Sequence, residues 1–559
     1  MIIKLIVLSL PVLLLIINPV SAYIDPGTGA SIIGSFWPMI IAFFAFLGGL
    51  FVKIFIKPLK NIVLRTIKAI KTHKKEFLNK KLLIKLIILV LGLFIISIFL
   101  FLPYKLDKIG QVERPNIIII TMDALRADHL GVYGYPYNTS PNIDNFAKDA
   151  TIFKNAYSQA PWTIPSIATI FTSLYPSVHG ITLLRENNLN YFYLGVISEK
   201  IKLIYEVLRS HGYKTVFISG NILLVMYSKR YIPQHSFDDV LISPEYNDLS
   251  DASEYYTWNS SNMTEAAINH LNTIKDKPFF LILWYMDPHS PYAPSEEFDI
   301  FNHTQYTDKY IEEDFNINKY DGEILSTDTS IGTFLTYLKE NNLYDNSLIL
   351  FIADHGEQFG EHGKYEHGNT VREVETHVPF ILKLPKNSKY KLNKIEEKPV
   401  GLIDIYPTIL DLLEIKYPEY IQGRSIFEII NDNNTNYLFS EVKNKKELEK
   451  GKYNYVEEYL ILDNELNSLI VSRSASLGTA ESDFGTFSNI TIIDLRIKGN
   501  QQDNITNSQE EFDLLYLQLA YYLIKNRDLY NNLSVFVKDK HEQIDPDTLE
   551  KIKSLGYLN

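Results

Sequence analysis

The chain has 559 residues, no cysteine and a net charge of −12. That length exceeds a single compact core and corresponds to about three domains. The acidic balance excludes nucleic acid as a partner, and the absence of cysteine excludes a disulfide framework, so any exported domain must rest on its hydrophobic core.

The N-terminal part does not read as a soluble domain. Residues 1–22 carry Lys4, an apolar run and then Val-Ser-Ala before Tyr23, the layout of a signal peptide or a first membrane segment. Residues 32–52 are apolar without a charge, long enough to cross a hydrocarbon core of roughly 30 Å. Residues 82–104 form a second such run, with only Lys85 near its start and Tyr104 at its end. Between them, residues 53–81 are rich in lysine, which the positive-inside rule puts in the cytoplasm. The chain after Tyr104 then lies outside the membrane. Residues 1–105 sum to about +11, which leaves the remainder near −23. The turn YIDPGTG, residues 23–29, has no functional reading.

Beyond a short tether comes NIIIIT, residues 116–121, a continuous β-branched run of the kind buried on both faces in parallel sheets, with Asp123 at its end. Helical patterns are expected over 142–153 and from Pro165. Apolar strands are expected at 214–219, 278–286, 347–353 and 377–385. Strands alternating with helices predict an α/β fold, a large mostly parallel sheet flanked by helices. Past about residue 430 the pattern shifts to Asn/Lys-rich turns, short strands and one helix, read as a smaller α+β subdomain over 431–559.

Ligands of such sheets bind at the carboxyl ends of the strands. Asp123, Asp287–His289 and Asp354–His355 all fall there. Taken singly, Asp123 reads as a cap and the histidines as surface residues. Taken together, Asp123, Asp354 and His355 offer two carboxylates and an imidazole, a set suited to one divalent cation (Ca2+, Mn2+ or Zn2+). Thr163 adds a hydroxyl, with Pro165 expected at the first helical position. On the residues alone, Thr163 is either a helix-start residue or a nucleophile activated by the cation. His289 and His367 are candidates to bind the anion or protonate the leaving oxygen, and His362 and Lys364 are candidate substrate contacts.

Five ordered blocks carry a family resemblance: residues 116–180, DPHSPYAP (287–294), IADHGEQFGEHGKYEHGN (352–369), THVPFILKLP (376–385) and GLIDIYPTILDLL (401–413). Together they resemble the sulfatase family of the alkaline phosphatase superfamily, and the closing DPDTLEKIKSLGYL resembles the tail of membrane-associated sulfatase-like proteins. The resemblance implies one large α/β catalytic domain over 115–430, whose metal holds an anionic ester against a nucleophile. The substrate would be a sulfated or phosphorylated glycan, lipid or small-molecule ester.

Three positions depart from the family. The formylglycine motif Cys/Ser-X-Pro-Ser-Arg reads Thr163-Ile164-Pro165-Ser166-Ile167, and a threonine cannot give that aldehyde. The paired opening acids read Asp123-Ala124, and the expected Gly-Lys-X-His block reads Ser219-Gly220-Asn221-Ile222. The reading is a membrane-anchored, extracytoplasmic, metal-dependent hydrolase of sulfate or phosphate esters with Thr163 as nucleophile. One alternative is a phosphoglycerol- or phosphoethanolamine-type transferase. Another is an inactive, membrane-tethered binding protein of sulfatase fold. The topology is tested by protease treatment of intact cells: cleavage is expected after residue 105 and not within 53–81, and the reverse pattern would overturn it.

Overall fold

The structure, a computed structural model, describes residues 114–181, 183–186, 191–194, 197–221, 237–242, 258–302, 316–449, 452–476, 490–497, 500–501 and 509–533. The segments read as signal peptide, membrane spans and basic loop, residues 1–22, 32–52, 53–81 and 82–104, lie outside the described residues, as do residues 23–29 and the closing segment. Among the described residues, no helix is long and apolar enough to cross a membrane.

The central sheet has eight strands: β1 (Asn116–Met122), β2 (Thr151–Phe153), β3 (Lys214–Ser219), β4 (Asp239–Leu241), β5 (Phe279–Tyr285), β6 (Ser347–Ala353), β7 (Phe380–Lys383) and β8 (Ile395–Glu396). Their order is β8-β2-β7-β6-β1-β5-β3-β4. Every neighbouring pair is parallel except those made by β7, which runs against both β6 and β2. β1, β5 and β6 are buried along their whole length, which is why they read as unbroken apolar runs.

The helices that position the site are α1 (Pro141–Phe146), α2 (Thr163–Thr172), α3 (Ser260–Ile274) and α4 (Ile317–Glu340). α1 receives its cap from a distant element: Asp328 of α4 accepts from the backbone N–H groups of Asn142 at 3.0 Å and Ile143 at 2.8 Å. The helix expected over 142–153 is corrected by the structure: it stops at Phe146, and Thr151–Phe153 pairs with β7 and β8. A three-residue strand gains its ladder from residues more than two hundred positions away, so local pattern does not reveal it.

After residue 430 the strands are longer than expected. β9 (Tyr437–Glu449), β10 (Lys452–Asp463), β11 (Ser468–Ser476), β12 (Ile490–Ile497) and β13 (Asn500–Gln501) form an antiparallel meander, joined by α5 (Gln509–Leu533). Residues 113–559 form one compact unit. Tyr175, just past α2, is wedged against Phe439 and Tyr522, whose rings stack 3.9 Å apart. The buried Glu441 accepts from Ser177 N–H at 2.6 Å, and its own N–H donates to Gln159 O at 3.0 Å. This sheet therefore grips the chain on both sides of α2.

Glu323 on α4 is buried and accepts from Ala293 N–H at 2.8 Å. Desolvation, reinforced by Asp287, pushes its pKa from 4.5 up to about 8. The folded state thus keeps a proton that the unfolded chain gives up, so stability is full below pH 4.5 and falls as pH rises toward 8. Glu323→Gln keeps the acceptor and removes the buried charge. It is expected to raise Tm by about 2–4 °C at pH 8 and much less at pH 4.5; equal shifts at both pH values in thermal melts would contradict this.

Candidate active site

Register brings the site together. Met122 pairs with Ala353, so Asp123 and Asp354 each stand one step beyond adjacent parallel partners. Asp123 N–H donates to Tyr285 O at 2.9 Å, and Ala124 N–H donates to Asp354 Oδ1 at 3.2 Å. Ala124 takes φ 57°, a left-handed conformation that aims its N–H at that carboxylate. His355 follows, with its Nε2 3.5 Å from Asp123 Oδ1 and 3.3 Å from Asp354 Oδ2. All three side chains are fully buried.

Thr163 is the first residue of α2, and Pro165 is its third, not its first as expected. The N-cap is Trp162, which makes no side-chain cap bond. The Thr163 hydroxyl turns away from its helix: Oγ1 lies 3.1 Å from His355 Nε2 and donates to Asp123 Oδ1 at 3.4 Å. Ser166 fixes the same turn by donating to Asp354 O at 2.8 Å.

Three groups converge as Asp123, Asp354 and His355, close enough to share one cation. Two observations fit that use. His355 Nδ1–H donates to Gly356 O at 2.9 Å, so the neutral ring carries its lone pair on Nε2. Burial, then the nearby His367, lowers its pKa to about 3, which keeps it neutral. Asp354 Oδ2 is buried with no hydrogen-bond partner, and burial followed by the charge of Asp123 drives the Asp354 carboxyl far upward. A buried carboxylate oxygen left uncompensated beside a second carboxylate suits a cation held by both.

His367 and His289 complete the cluster. The His367 ring lies 4.3 Å from that of His355 and 4.9 Å from that of His289. His289 Nδ1–H donates to Ser290 O at 2.7 Å, and His367 Nδ1–H donates to Glu357 at 3.2 Å. Burial, then His289, lowers His367 to about 3. His362 and Lys364 sit elsewhere. Both are exposed on the hairpin turn between Phe359 and Tyr365, where Lys364 Nζ donates to Asn369 O. Among the described residues, neither has a hydrogen bond or ion pair to the cluster. Asp287 is also apart from it and accepts from Ser260 N–H at the start of α3.

Four site residues carried no role in the sequence reading. Glu357 is buried beneath His367 and accepts from Tyr292 OH at 3.3 Å; burial raises its pKa to about 7. Arg126, nearly buried, donates to Glu357 O and to Glu361 and pairs with Asp128, tying the segment after Asp123 to the segment after His355. Trp284 and Asn221 both donate to Asp123 Oδ2, at 2.8 Å and 3.1 Å. The only local signal for Glu357 is its place two residues after His355. Trp284 and Asn221 are revealed by strand register alone. Ile167, where the family resemblance expects arginine, packs in the hydrophobic core.

A sulfatase family profile matches residues 115–415. The chain is 26% identical to an arylsulfatase of Clostridium perfringens, over 58% of this chain and 80% of the relative. It is 28% identical to an ulvan-active sulfatase of Formosa agariphila, over 58% of this chain and 68% of the relative. Among solved structures it is similar to a phosphonate monoester hydrolase from Silicibacter pomeroyi, with a TM-score of 0.53, 19% identity and coverage of 74% of this chain and 95% of that one. At that identity the likeness concerns the fold.

Proposed function

The chain belongs to the sulfatase family of metal-dependent sulfuric ester hydrolases, and from that premise we propose that Thr163 is its nucleophile and that Asp123, Asp354 and His355 hold one divalent cation. The observation that carries this reading is the direction of the Thr163 hydroxyl, which faces the metal-ligand cluster. A cation bound there supplies Lewis acidity, lowering the pKa of a neighbouring hydroxyl and anchoring anionic oxygens.

The residues divide the remaining work. Thr163 Oγ1, its proton released to solvent, attacks the sulfur of the bound ester, the bond from sulfur to the bridging oxygen breaks, and the leaving alkoxide takes a proton from protonated His289 or His367. Water then attacks the sulfur of the threonine sulfate, one of its protons passing to the Thr163 oxygen and the other back to the histidine, which releases sulfate and restores the hydroxyl. His367 is neutral with the site empty of anion; an anionic ester beside the His289–His367 pair favours its charged form. Glu357 holds His367 from behind. An ulvan-active relative supports a sulfated glycan as substrate, and the charge pattern of residues 1–105 supports a reaction outside the cell membrane.

A second reading follows from the threonine itself. A threonine ester cannot collapse by expelling sulfate from a gem-diol, so it must be cleaved by an incoming nucleophile. If a surface hydroxyl serves as well as water, the enzyme is a transferase of a phospho-substituted group. Thr163→Ala is expected to lower turnover of an aryl sulfate by at least about 1000-fold with the fold intact, while Thr163→Ser keeps measurable activity. Wild-type assays with an added alcohol separate the two readings: sulfate as the sole product gives the hydrolase, and a sulfated or phosphorylated alcohol gives the transferase. Unchanged activity in Thr163→Ala would remove Thr163 from the mechanism.

A further inference from the structure

Asp123 stands between two different sets of partners. Its Oδ1 faces Thr163 Oγ1 at 3.4 Å and His355 Nε2 at 3.5 Å. Its Oδ2 faces the opposite way, accepting from the Trp284 indole N–H at 2.8 Å and the Asn221 amide at 3.1 Å. Both donors are almost completely buried. They reach Asp123 from the two strands on one side of β1. Trp284 is in register with Thr121 of β1 and with Ser219 of β3. Asn221 stands two residues past Ser219, held by its N–H to Ser219 Oγ at 2.9 Å.

We propose that Trp284 and Asn221 are positioning residues for the metal site: they occupy Asp123 Oδ2 and so present Oδ1 alone to the cation. The inference rests on the metal reading given above. Its physical basis is general. Hydrogen bonds to a ligating carboxylate fix its orientation, and their loss typically weakens metal binding about 10–100-fold. Here the donors are neutral, so they orient the carboxylate without adding positive charge. Where the family resemblance expects a lysine-bearing block, the chain has an amide that donates to Asp123.

The test is calorimetric titration of the full-length protein with Ca2+, Mn2+ and Zn2+, for wild type, Trp284→Phe, Asn221→Leu and Asp354→Asn, each with a metal-free thermal melt. Wild type is expected to bind one ion and Asp354→Asn to lose it. Trp284→Phe and Asn221→Leu are expected to bind about 10–100-fold more weakly. Saturating metal should also change the tryptophan emission of wild type, and this change should vanish in Trp284→Phe although three tryptophans remain. If Trp284→Phe fails to fold, Asn221→Leu decides by its affinity. Wild-type affinity in both folded variants would overturn the positioning role and leave the metal site standing. A wild type that binds none of the three ions would overturn the metal reading and this inference with it.

Discussion

Two carboxylates buried side by side set the terms for the rest of this molecule. Asp123 and Asp354 stand one step past paired residues on adjacent parallel strands, fully desolvated. Such a pair is costly unless every oxygen is compensated. Three oxygens have protein donors: Asp123 Oδ1 from Thr163, Asp123 Oδ2 from Trp284 and Asn221, and Asp354 Oδ1 from the Ala124 amide. The fourth, Asp354 Oδ2, has none and lies 3.3 Å from a histidine nitrogen whose tautomer offers a lone pair. That arrangement is a poor protein core and a good cation site.

Much of the remaining architecture serves to keep this point rigid. β7, reversed within the sheet, brings the segment after Glu373 under the His355 turn, where Gly356 N–H donates to Glu375 O at 2.8 Å. A Cβ on Gly356 would come within 2.1 Å of Val374 O, so the close approach requires glycine. Gly368 N–H donates to Pro161 O at 2.8 Å, which joins the His367 loop to the residues just ahead of Thr163. The C-terminal meander holds the other end of α2 through Tyr175 and Glu441. The proposed nucleophile, the candidate metal ligands and the histidines thus belong to one buried network, as preorganised catalysis requires.

The sequence made the central part of this legible. β1, β5 and β6 are buried on both faces and read as continuous apolar runs, and Asp123, Asp354 and His355 are recognisable because they fall at strand ends. In the sequence Thr163 is open between two roles, since helix-start and nucleophile share the same local pattern; the direction of its hydroxyl supports the proposed nucleophile. What was not legible depends on distant pairing. The short strand Thr151–Phe153 looked helical because its ladder comes from β7 and β8. Pro165 looked like a first helical residue, but α2 begins two residues earlier. Trp284 and Asn221 reach Asp123 through register between three strands, which no spacing within one segment encodes. His362 and Lys364 lie in the same motif as His367, and the tight turn around His362, at φ 57°, leaves both exposed.

The central claim is that the Thr163 hydroxyl carries the group being transferred. The most direct test is intact-mass analysis of the metal-loaded full-length protein after brief incubation with an aryl sulfate and, separately, an aryl phosphate, followed by peptide mapping. A sulfo or phospho adduct on the peptide containing Thr163, formed only with metal present, is the predicted result, and the ester that forms it identifies the chemistry. Turnover without any adduct on Thr163, or an adduct mapped to another residue, would contradict the account.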